Sequence, residues 1–169
     1  MGRKITMLSA LISLLASCAK KPAATLPSRP GVSATLSYPV LLAGNRDLVV
    51  KDDEESLTTT TVASGLNFLE FKVIDSSGMQ YSIVKVTEFG KRSVFSDMGT
   101  KPFRVFLEMK HEGKLSLPKA KDLARTVALD PNGVVSSTAH GPEIATRTIQ
   151  GAESVAQLIQ VCRKTWEWR

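Results

Sequence analysis

The apolar residues of this chain change their spacing once, between residues 110 and 117, and that change limits the fold more than any other feature of the sequence. Before it, Phe103, Val105, Leu107 and Met109 alternate with Arg104, Phe106, Glu108 and Lys110. A period of two belongs to a strand with one buried face. After it, Leu117, Ala120, Leu123, Ala124, Val127 and Ala128 recur at the three- and four-residue intervals of one helix face. His111-Glu112-Gly113 falls between the two regimes and is expected to end the strand.

Upstream, from Val32 to Lys110, the signals are mostly β. Thr35 to Leu42 reads as a strand that Pro39 confines to an edge or breaks. Asp47 to Lys51 reads as a short strand, and Leu57 to Ala63 as another, because its run of threonines ending at Val62 is β-branched. Leu69, Phe71 and Val73 alternate with Glu70 and Lys72. Asp75-Ser76-Ser77-Gly78 supplies a turn, and Gly78 can take the positive φ such a turn needs. Gln80 to Phe89 then returns. Tyr81 and Ile83 fit one face and Val84 and Val86 the other, so a bulge or burial on both sides is expected. Gly90-Lys91 turns the chain into a short strand at Arg92 to Ser96.

Downstream, Ser116 suits an N-cap and Pro118 a first turn. Pro131-Asn132-Gly133 stops the helix, and residues 134–147 read as loop with one short strand. A second helix is expected at Ala152 to Trp166, with Val155, Leu158, Ile159 and Cys162 as its apolar stripe and Arg163 and Lys164 suiting its dipole. Strands first and helices last predict an α+β domain: an antiparallel β meander followed by two C-terminal helices packed on one face.

The chain opens with Arg3 and Lys4, then an apolar run from Ile5 to Ala16. That run has the length of a secretory leader and is too short to span a bilayer comfortably. It ends in Leu15-Ala16-Ser17-Cys18, which resembles the lipobox of bacterial lipoproteins at all four positions. The resemblance covers residues 1–18 only. It implies cleavage between Ser17 and Cys18, a diacylglyceryl group on the Cys18 thiol, and fatty acylation of the new amino group. Small residues before the cut let the chain lie extended in a peptidase groove, and a thiolate is the strong nucleophile that thioether formation needs. Ala19, where the enteric retention signal has Asp, implies the periplasmic face of the outer membrane. The expected organisation is a signal peptide at 1–17, a lipidated cysteine and Pro-rich linker at 18–31, and one periplasmic α+β domain at 32–169.

Acylation consumes Cys18, which leaves Cys162 as the last cysteine and allows no intramolecular disulfide. A hydrophobic core must hold the domain. The formal charge of +6 falls when Arg3 and Lys4 leave with the signal. The remaining basic residues are scattered, which gives no footprint for nucleic acid. Lys20, Lys21 and Arg29 would lie near anionic headgroups.

No cofactor is expected. His111 and His140 have no ligand-like partners at helical offsets, and Asp52-Asp53-Glu54-Glu55 lacks the alternation and central Gly of a calcium loop. Glycine-rich nucleotide motifs are absent. Ser136, Ser137, His140 and Glu143 lie close in sequence, but triads are assembled from distant segments and no nucleophile elbow occurs. Glu70 and Glu108 fall on polar strand positions. Cys162 reads as a buried, inert thiol. Trp166, Trp168 and Arg169 are the residue types favoured at contact surfaces. The exposed sheet face around Phe106 is the other such surface.

These readings point away from an enzyme and toward a lipid-anchored module that binds another protein. In layout alone it is similar to small periplasmic lipoproteins that neutralise cell-wall-attacking effectors, which suggests an inhibitor or immunity protein. The alternative is an accessory lipoprotein of an envelope secretion or pilus assembly.

Overall fold

The computed structural model describes residues 27–44, 46–60, 68–89, 102–133 and 140–164. Seven strands form one sheet. They are β1 (Gly31–Val32), β2 (Val40–Gly44), β3 (Asp47–Lys51), β4 (Thr59–Thr60), β5 (Lys72–Asp75), β6 (Met79–Phe89) and β7 (Phe103–Lys114). Their order is β1-β7-β6-β5-β2-β3, with β4 also against β7. All pairs are antiparallel except β1 with β7. The helices are α1 (Glu54–Thr58), α2 (Leu117–Ala128), α3 (Gly141–Gly151) and α4 (Val155–Cys162).

Apart from the short α1, strands come first and helices last, as the change of period implies. Each face of the sheet carries its own core. Leu41, Ala43, Leu48 and Ile74 pack against Ala120, Ala124, Ala128, Ala145, Ile149, Leu158, Ile159 and Cys162. The buried positions of α2 are all alanines, so its backbone can approach the sheet closely. α2 and α4 lie over β2 and β3, and α3 packs against those two helices. On the other face Val40, Leu42, Val73, Tyr81, Ile83, Val105 and Leu107 meet Leu57 of α1 and Phe68. Val32, Ala34, Leu36 and Tyr38 of the N-terminal segment cover this second core.

Several local expectations are corrected. Gly31, placed at the end of the linker, pairs with Phe106 in β1. The strand read from Thr35 begins only at Val40, one residue past Pro39, which has no N–H to give a ladder. Residues 61–63 of the expected strand lie outside the described residues, β4 is described at Thr59–Thr60, and Leu57 and Thr58 are helical. The reason is a capping box in which Asp53 accepts from Ser56 N at 2.7 Å and Ser56 Oγ accepts from Asp53 N at 3.2 Å. That nucleus overrides the β propensity of the threonines. Phe68–Glu70 is a 3-10 turn, so the expected alternation survives only in β5. A helix, Gly141–Gly151, occupies part of the stretch read as loop, with Pro142 in its first turn and Ala145 and Ile149 buried. α4 starts at Val155, where Ser154 caps Gln157 N at 3.1 Å. Ser116 occupies the cap position of α2 without a side-chain cap bond. The expected strand at Arg92 to Ser96 lies outside the described residues.

Candidate functional site

The three C-terminal helices cover only half of the face they pack on. Ile74 of β5 belongs to the helix-side core and pairs with Gln80 of β6. Lys72, two residues away on the same face, pairs with Ser82, and Ser82 pairs with Lys110 of β7. The same face therefore continues across β6 and β7 through Gln80, Ser82, Lys85, Phe106, Glu108, Lys110 and Glu112. Among the described residues no helix lies over this half. Lys85, Glu108, Lys110 and Glu112 are exposed and Phe106 is half-buried.

Two bulges shape this surface. Between Gln80↔Gly113 and Tyr81↔His111, Glu112 is the extra residue of β7. Between Ile83↔Met109 and Lys85↔Glu108, Val84 is the extra residue of β6. A bulge bends its strand and re-aims the side chain it carries. Glu112 is thereby brought to three donors. Lys72 Nζ donates to Oε1 at 2.8 Å, Gln80 Nε2 donates to Oε2 at 3.0 Å, and the Ser82 hydroxyl donates to Oε1. Lys72 Nζ also donates to Ser82 Oγ at 2.6 Å. Lys72, followed by Ser82, holds the Glu112 carboxyl below the usual carboxylate range. Val84 is left 48% exposed. The arrangement is a hydrogen-bonded polar patch with an apolar step beside it.

The bulge in β6 was legible from the clash of apolar parity between Ile83 and Val84. The bulge at Glu112 was not, because His111-Glu112-Gly113 looks like a strand end. β7 instead runs on to Lys114, with Gly113 at φ +119°, a conformation that favours glycine.

Cys162 is buried, and burial pushes its thiol up to about 12. Three of the four acids at 52–55 have structural tasks. Asp53 caps α1, Asp52 pairs with Arg163, and Glu55 lies 3.5 Å from Arg104. No group of three potential ligands could hold a metal ion among the described residues. His111 tilts against Tyr81 at 5.3 Å between ring centres. His140 precedes α3 and Glu143 lies in its first turn, while Ser136 and Ser137 lie outside the described residues. Glu70 sits in the 3-10 turn, separate from Glu108 of β7. A shallow groove of about 200 Å³ runs between α2 and α3, lined by Pro118, Lys121, Asp122, Arg125, Ile149 and Gln150. Ser17, Cys18, Trp166, Trp168 and Arg169 also lie outside the described residues. No described helix is long and apolar enough to cross a membrane.

Comparison with protein-family models, with curated proteins and with solved structures finds no match for this chain.

Proposed function

We propose that the chain is a bacterial lipoprotein, acylated on Cys18 and stationed at the periplasmic face of the outer membrane, whose domain binds another protein through the open half of its sheet. The carrying observation is that half-face itself, which presents the network of Lys72, Gln80, Ser82 and Glu112, the exposed Val84 two residues beyond Ser82, and Phe106 further along β7. Side chains already fixed by hydrogen bonds lose little freedom on docking, which favours binding. Confinement to one membrane would raise the local concentration of partners there. We assign it the role of an inhibitor or immunity protein that blocks the cleft of a cell-envelope effector. This role needs no chemistry of its own, only a shaped surface.

A photo-cross-linking residue at Val84, irradiated in intact envelopes, tests this reading. One small partner protein captured at Val84, and not at the exposed Lys119 of α2, supports it. A set of subunits from a large assembly would replace it with the accessory-subunit role. No adduct from Val84 would remove the open half-face as the binding surface.

A further inference from the structure

Among the described residues β3 ends its side of the sheet and pairs with β2 alone. That pairing runs unbroken from Gly44↔Asp47 to Val40↔Lys51. Proteins usually protect such an edge with a proline, a bulge, charged side chains, shortness or a covering loop; β3 is short and carries charges only at its two ends. Asp47–Lys51 has neither proline nor bulge, and among the described residues its backbone bonds only to β2. Val49 and Val50 are half-buried. Ion pairs of Arg46 with Asp130 and of Arg163 with Asp52 tie down the chain on either side and leave the strand between them.

The sequence of the edge complements itself. Read antiparallel about Val49, Asp-Leu-Val-Val-Lys sets Asp47 opposite Lys51 at both ends, Leu48 opposite Val50, and Val49 opposite itself. Residues 47, 49 and 51 share one face, so the opposed charges would meet on the same side of the joined sheet. Neither Asp47 nor Lys51 belongs to an ion pair among the described residues. Lys51 is half-buried, and that burial pulls its amine below the ordinary value, with Asp53 opposing.

We propose that β3 pairs antiparallel with β3 of a second copy about a two-fold axis at Val49, joining two sheets into one. The pairing is isologous and closed, which stops it at two copies. It leaves β6 and β7, three and four strands away in the sheet, free for a different partner. The inference does not rest on the function proposed above. A five-residue strand pair is a small interface, so a reversible dimer with Kd above about 1 μM is expected.

The full chain in detergent, followed by sedimentation across a concentration series, gives the oligomeric state. In the same preparation Val49→Cys should oxidise to a covalent dimer, since directly opposed Cβ atoms lie about 4.5–5.5 Å apart. Asp47→Lys and Lys51→Glu should each weaken the dimer about tenfold, because each sets like charges opposite at both ends. Mixing those two variants should restore a heterodimer, which a simple folding defect would not. A wild-type chain that stays monomeric to about 1 mM, a Val49→Cys chain that does not cross-link, single variants that dimerise like wild type, or a mixture that does not recover would each overturn the proposal.

Discussion

Lys72 and Glu112 lie 40 residues apart in the chain and 2.8 Å apart in the fold, an ammonium on β5 donating to a carboxylate that a bulge turns out of β7. Depressing a carboxylate pKa ties stability to pH in one direction. The contribution is full above the unfolded value of about 4.3 and is lost as pH falls through the lower folded value. Lys72→Met should return the Glu112 carboxyl toward the ordinary range in a carbon-13 NMR titration. Both side chains are partly solvated, at 41% and 30% exposure, so screening holds the cost in stability to no more than about 1 kcal/mol. An unchanged titration would mean that Lys72 is not the partner that sets it.

Two apolar residues at opposite extremes of burial should respond differently to substitution. Leu41 is fully buried against the helices, and Leu41→Ala should cost about 2–5 kcal/mol in denaturant unfolding. Val84 is exposed on the bulge, and Val84→Thr should change stability by no more than about 0.5 kcal/mol. Equal effects at the two positions would contradict the assignment of inside and outside.

The two cores of the sheet mark what the sequence could disclose. The alternation in β7 and the helical spacing after Leu117 each reflect one-sided burial, which periodicity records directly. Val40, Leu41, Leu42 and Ala43 are all buried, because β2 has a core on each face, so they form a plain apolar run with no period to read. α1 and α3 were missed for another reason. Their helicity rests on a cap at Asp53 and on tertiary burial of Ala145 and Ile149, while local composition favours strand or loop. The open half-face was foreseen only as charges around Phe106, because residues spread over β5, β6 and β7 meet only through pairing.

Tyr38 presents a buried hydroxyl with no hydrogen-bond partner among the described residues. Burial, then Glu54 and Asp53, push it up to about 12. An orphaned buried polar atom costs stability, and removing it with the ring kept is neutral or better. Tyr38→Phe should therefore hold or raise Tm in calorimetry. A clear drop would show that the hydroxyl has a partner.

The Cys162 thiol is buried and held protonated at neutral pH. A thiolate is the reactive form. Cys162 should label with a thiol reagent only as fast as the domain opens, and at once in denaturant. Rapid labelling of the native protein would contradict its place in the core.

The claim that this domain works from a membrane depends on the sulfur of Cys18. Mass spectrometry of the mature N-terminal peptide from an envelope preparation measures it directly. The expected product begins at Cys18 and carries a diacylglyceryl thioether and an amide-linked fatty acid. A mature chain with an unmodified N-terminus at any other residue would contradict it.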